Sequence, residues 1–183
     1  MFRLYSKRRN VTQEVRMKRF TLTAAMVLGF AGMSLAQTNA NVTVTATVIS
    51  PISITATTPT LAMGNVAQNT TTTVSATGGS AAQLTVSGQA NTAFTISWNT
   101  GVSLTDPNGN NPISFTPALY GSNVSPGGSG ATLSTHTGSP GTLSASGTYY
   151  ISVGGSLNPG SVPTGSYSTS NTNGTALTVT VAY

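Results

Sequence analysis

The chain has 183 residues with seven Lys or Arg, two Asp or Glu, one His and no Cys, and its net charge of +5 points at first sight to a nucleic-acid or membrane partner. All seven cations lie before position 20, and from Phe20 onward the only titratable acid and imidazole are Asp106 and His136. Such a body cannot release counterions from phosphates, supply two carboxyl groups for ordinary glycoside hydrolysis, or furnish the nitrogen and sulfur ligands of a structural zinc site, so no nucleic-acid partner, enzyme chemistry or cofactor is expected.

The first element is a leader. Met17-Lys18-Arg19, an apolar run over 20–33 and Ser34-Leu35-Ala36 form the charged, hydrophobic and small-residue regions of a secretory signal peptide. The pattern predicts cleavage between Ala36 and Gln37, with residues 1–36 as the leader and 37–183 as a single domain. The apolar run is shorter than the roughly 20 residues that span a bilayer, so no stable membrane insertion is expected after cleavage. Residues 1–16 make the leader long, and Met17 is an alternative start. Export through the Sec pathway places the product outside the cell, on its surface or in the periplasm. Without Cys it has neither disulfides nor a lipid anchor on Cys, and core packing with backbone pairing must hold it together.

After residue 36 no stretch has helical periodicity, and strand patterns dominate. Residues 42–48 alternate strictly, with Val42, Val44, Ala46 and Val48 on one face and Thr43, Thr45 and Thr47 on the other. The same period predicts strands over 52–57, 61–66, 84–87, 94–98, 102–104, 113–115, 149–153 and 177–181, with one short strand near 131–134. Ser50-Pro51, Pro59, Gly78-Gly79, residues 106–109, Gly127-Gly128, Pro140-Gly141, Pro159-Gly160 and Asn173-Gly174 punctuate them as turns. Many short strands at this spacing predict an antiparallel sandwich or barrel. Ser and Thr fill the polar faces where Lys and Glu usually stand, which leaves the strand edges poorly defended against pairing with other chains.

Catalytic and metal patterns are weak. Asp106 and His136 are accompanied by no G-x-S-x-G elbow, and His136 falls in a Gly/Ser-rich stretch that reads as loop. Residues 106–110 place oxygens at alternate positions as calcium loops do, but Gly109 comes too early and Pro117 stands where a bidentate Glu is needed. A strand-connecting turn is the simpler reading there. Phe94, Ile96 and Trp98 are expected to fill the core, and one of the neighbours Tyr149 and Tyr150 must face outward.

The strongest constellation is the pair of strands at the chain ends. Val42, Val44, Ala46 and Val48 form one, and Leu177, Val179, Val181 and Tyr183 form the other, a C-terminal pairing strand. Each reads either as an ordinary strand of one closed sandwich or as part of a β-strand addition, in which the N-terminal strand is donated to a neighbour.

Residues 47–55, 61–66, 147–157 and 177–183 together resemble an uncharacterised secreted bacterial family, domain-of-unknown-function family number 4402. The resemblance extends over essentially the whole chain after the leader. That family is distantly similar to spore coat U type and chaperone-usher pilin subunits, which implies an Ig-like antiparallel Greek-key β-sandwich. It also implies assembly by donor strands with copies of itself or related subunits, and a periplasmic chaperone or usher as a further partner. Met63 stands where the Leu-x-Phe-Gly pattern has Phe, and the cysteine pair common in pilins is absent.

The sequence therefore leads to an exported, non-enzymatic structural subunit of a surface filament, fimbria or coat, with residues 42–48 as donor strand. The competing expectation is a monomeric adhesin or carbohydrate-binding module using the loops around Asp106 and 121–141.

Overall fold

The computed structural model describes residues 41–127 and 130–183. The expected leader and its cleavage point at Ala36 and Gln37 lie outside the described residues. The chain divides into two units, Met1–Ala46 and Thr47–Tyr183. Of the first, residues 41–46 have no regular secondary structure and are exposed.

The second unit is all β. In chain order the strands are β1 (Ser53–Thr58), β2 (Thr72–Val74), β3 (Ala82–Ser87), β4 (Ala93–Trp98), β5 (Val102–Leu104), β6 (Ile113–Ser122), β7 (Ala131–Leu133), β8 (Ser139–Thr142), β9 (Thr148–Leu157) and β10 (Val179–Ala182). The larger sheet runs β1-β3-β9-β6-β5, with β2 on β9 and β7 on β6, and the smaller runs β10-β4-β8. Every ladder is antiparallel. The chain crosses between the sheets after β3, β4, β7, β8 and β9, so that of the sandwich or barrel that the strand spacing predicts it forms a sandwich, with the Greek-key connections that the family resemblance implies.

Alternation decides what each strand buries. Phe94, Ile96 and Trp98 of β4 point into the sandwich and meet Val86 of β3 and Tyr149, Ile151 and Val153 of β9 in the main core. Phe94 and Tyr149 meet edge to face, with centroids 5.2 Å apart and planes at 83°, the geometry that the ring quadrupoles favour. A second cluster, Val102, Ile113, Phe115 and Leu157, fills the far end of the larger sheet. No buried side-chain nitrogen or oxygen among the described residues lacks a hydrogen-bond partner.

Several expected strands differ from those observed. Residues 42–48 pair with nothing in the described fold, and Val48 is 93% exposed. Residues 61–66 form a loop, because Gly64 takes φ +69 and breaks the extended run. Leu61, Met63 and Val66 still pack on the second cluster from that loop. The Pro140-Gly141 turn is instead part of edge strand β8, where a residue without an N–H is tolerated, and Gly141 leaves room for the Phe94 ring. β6 continues past Pro117, which falls between the stretches paired with β5 and β7, so one edge has no ladder there. β9 extends to Leu157 through Gly154, where a Cβ would lie 2.3 Å from the Val74 carbonyl oxygen. At the C-terminal end the strand is shorter than expected: Leu177 precedes β10 and Tyr183 follows it.

Candidate functional site

The order β1-β3-β9-β6 in one sheet and β4-β10 in the other follows the Ig arrangement up to its sixth principal strand. The seventh would lie on the far side of β10. No strand among the described residues occupies that position: β10 pairs with β4 alone, through Val179 opposite Trp98 and Val181 opposite Ile96. β1 likewise pairs only with β3. Two sheet edges are therefore left with unpaired backbone donors and acceptors, side by side across the mouth of the sandwich.

The consequence appears in burial. Val86, Ile96 and Ile151 in the interior strands are wholly enclosed. Ile54 of β1 and Leu177, Val179 and Val181 at β10 also turn toward the core but remain only half-buried. Between them opens a groove of about 1060 Å³. Its lining takes Ile54 and Ala56 from β1, Leu177 and Val179 from the β10 side, Ala82, Leu84, Val153, Phe115 and Leu157 from the larger sheet, and much of the loops over 58–68 and 159–170. No charged side chain lines it.

Hydrogen bonds fasten β1 and β10 and the loops near them at both ends. At one end the Tyr183 hydroxyl accepts from the Gln89 amide at 2.6 Å and donates to the Ser50 carbonyl at 3.1 Å, while the Ser50 amide donates to Gln89 Oε1 at 3.4 Å. This clamp joins the end of β10 to the entry of β1. At the other end the loop after β1 meets the loop after β9, where Gln68 Nε2 donates to the Val162 carbonyl and the Asn69 amide to the Gly160 carbonyl.

The expected donor residues bear the opposite pattern from the groove. Val42 is 84% and Val44 87% exposed, and Ala46 is exposed as well. An extended segment over 42–48 rises about 3.3 Å per residue and matches residues 177–183 in length.

Asp106 has a structural role. Its Oδ1 accepts from the Asn108 and Asn110 amides, each at 2.9 Å, and its Oδ2 from Asn111 Nδ2 at 2.8 Å. These bonds, the Asn110 amide foremost and then Asn111, hold its carboxyl below the usual carboxylate range. The turn is fastened to residues 168–175: buried Thr105 donates through Oγ1 to the Thr172 carbonyl, and Asn171 Nδ2 donates to the Thr105 carbonyl. A depressed folded value means that the ionised form is stabilised by folding, so the contribution is present above the ordinary value of 3.8 and is lost as pH falls through the lower folded value. Urea unfolding at pH 6 and pH 3 is expected to show a decrease in stability at the lower pH that largely disappears in Asp106→Asn. An equal decrease in both proteins would contradict the assignment.

His136 is exposed in the loop before β8, where its carbonyl accepts from the Trp98 amide. Among the described residues no three His, Asp or Glu side chains come together, and no helix is long and apolar enough to cross a membrane. Sequence reasoning missed one arrangement. It required Tyr149 or Tyr150 to face outward, and the register adds that the outward residue, Tyr150, lies diagonally across from Tyr120 on the neighbouring strand. A scan against protein-family models finds no match for this chain, and a search of curated proteins finds none either.

Proposed function

We propose that the chain is a non-enzymatic, exported structural subunit that assembles with copies of itself or related subunits into a surface filament, fimbria or coat by β-strand addition. Residues 42–48 of one copy lie in the groove between β1 and β10 of the next. The observation that carries this reading is the uncharged groove with unpaired strand edges beside it and half-buried Ile54, Leu177 and Val179 in its lining. Main-chain bonds to β1 and β10 supply affinity, and Val42, Val44, Ala46 and Val48 cover the apolar walls.

The magnitudes are adequate. Enclosing a Val-sized side chain contributes about 1.5–3 kcal/mol, and several of these together with a backbone ladder offset the roughly 4–15 kcal/mol cost of association. The scarcity of charge removes repulsion between copies. The leader motif supports export, and a periplasmic chaperone or usher is the partner that would cover the groove before assembly. The resemblance to family 4402 supports the same reading.

Gel filtration of the protein with and without residues 37–49 tests it. The longer form is expected to run as a series of multimers and the shorter as a folded monomer. Monomers in both forms would contradict assembly and favour a binding module.

A further inference from the structure

We infer that Met63 is an oxidation site, and that a peroxide which converts its thioether to the sulfoxide weakens strand addition in the groove between β1 and β10. The inference rests on the strand-addition reading and adds a regulation of the same groove.

The sequence isolates the residue. Residues 37–183 contain no Cys and a single Met, so Met63 carries the only sulfur there. Thiolate and thioether sulfur are the side-chain atoms that two-electron oxidants attack most readily. The single Trp, Trp98, is buried in the main core. A mild peroxide therefore has one principal target after the leader.

The fold puts that target in the groove. Met63 lies in the loop after β1, is half-buried and belongs to the lining. It also packs, with Leu61 and Val66, on the cluster of Val102, Ile113, Phe115 and Leu157. The loop is fixed on the far side of Met63 by the left-handed turn at Gly64 and by two bonds to the loop after β9. Gln68 Nε2 donates to the Val162 carbonyl, and the Asn69 amide donates to the Gly160 carbonyl at 2.8 Å. A modified Met63 must therefore be accommodated where it stands.

The step balances with the peroxide alone. A sulfur lone pair attacks one oxygen of hydrogen peroxide, the S–O bond forms and the O–O bond breaks. The departing hydroxide takes the proton of the transferred oxygen and leaves as water. Sulfur is oxidised by two electrons and the peroxide is reduced by two. A flexible apolar side chain becomes a polar, chiral one, and the change is reversible by thiol-dependent reductases.

Partial exposure decides where the polarity is felt. In the single chain the groove is open, so the new oxygen keeps its contact with water. A strand laid in the groove displaces that water, and no charged side chain in the lining compensates for it. Gln68, in the same loop, already donates its amide to Val162. Enclosing a polar group without a partner weakens the contact by about tenfold or more. The converse also holds: a strand in the groove shields Met63 from the oxidant.

The test uses the chain from Gln37 onward. One sample is unfolded in urea, treated with hydrogen peroxide, freed of both and refolded, beside an untreated sample carried through the same steps. Peptide mapping by mass spectrometry is expected to place one added oxygen on Met63. Gel filtration over a dilution series is expected to show multimers in the untreated sample and a half-assembly concentration about tenfold or more higher after oxidation. Met63→Leu, close in volume and without sulfur, is expected to assemble and to be unmoved by peroxide. Emission from buried Trp98 reports refolding of each sample. Should the oxidised chain not refold, Met63→Gln, polar and unbranched without any treatment, takes its place and is expected to show the same weakening. In folded protein, Met63 is also expected to take up oxygen more slowly in the multimer fraction than in a Val44→Asp, Val48→Asp double variant.

Multimers with equal half-assembly concentrations before and after oxidation would overturn the inference and leave strand addition standing. So would a weakening that Met63→Leu shares, or equal oxidation rates in the multimer and the double variant. Monomers in the untreated sample would overturn strand addition itself, and this inference with it.

Discussion

Replacing Val44 and Val48 together with Asp is expected to abolish multimers while leaving the domain folded. Both side chains are almost fully solvated in the single chain, at 87% and 93% exposure, and exposed substitutions of this kind usually change stability by no more than about 0.5 kcal/mol. In the proposed assembly the same side chains would enter a groove lined by Ile54, Ala56, Leu84 and Val179, with no charged side chain in its lining. An ionised carboxylate there loses its hydration without compensation, at an effective penalty of several kcal/mol per group. Two such groups weaken each junction by about a thousandfold or more. Electron microscopy and gel filtration read the outcome directly. Assemblies that persist in the double variant, with a melting temperature equal to that of the unsubstituted protein, would remove residues 42–48 from the contact.

Phe94→Ala is expected to cause a large loss of stability. Phe94 is 3% exposed, meets Tyr149 edge to face and lies against Gly141 of the neighbouring strand. Removing a buried Phe ring costs about 3–5 kcal/mol, because the transfer free energy is lost and a cavity remains. For a domain of this size that corresponds to a decrease of about 6–20 °C in melting temperature. Thermal unfolding followed by far-UV circular dichroism checks it, and a decrease below about 3 °C would mean that the two sheets do not meet through this ring.

What the sequence made legible follows from how local each feature is. β4 and β9 were readable because Phe94, Ile96 and Trp98, and Tyr149, Ile151 and Val153, alternate without interruption. Residues 61–66 alternate as well, and nothing local announces that Gly64 adopts a left-handed conformation. β8 was hidden because Pro140-Gly141 is turn chemistry in isolation, and its strand character depends on pairing with Thr95 and Phe94. The short β2 has too few residues for a period to register.

The site divides in the same way. Residues 42–48 stood out as a one-sided strand, and their exposed side chains agree with the absence of any ladder for them. The groove was not legible. Its lining joins Ile54, Val179, Ala82, Phe115 and Val153 with the loops over 58–68 and 159–170, residues brought together only by sheet order and loop path. Nor could the chain show that the edges of β1 and β10 are both free, since that depends on a strand position that no described segment occupies. The pairing of Tyr120 with Tyr150 across the outer face is likewise a product of the register of β6 against β9. Local period told which residues share a face of one strand, and the ladder then determined which faces adjoin.

The central claim is that the groove between β1 and β10 accepts this chain's own residues 42–48. Thermal unfolding of the domain lacking residues 1–49, with and without a synthetic peptide of residues 41–50, tests it most directly. At a peptide concentration about a hundredfold above its Kd, linkage predicts about 2.7 kcal/mol of added stability, a rise of about 5–11 °C for a domain of this size, and no rise with a peptide carrying Asp at positions 44 and 48. Identical melting curves with and without the unsubstituted peptide would contradict the account.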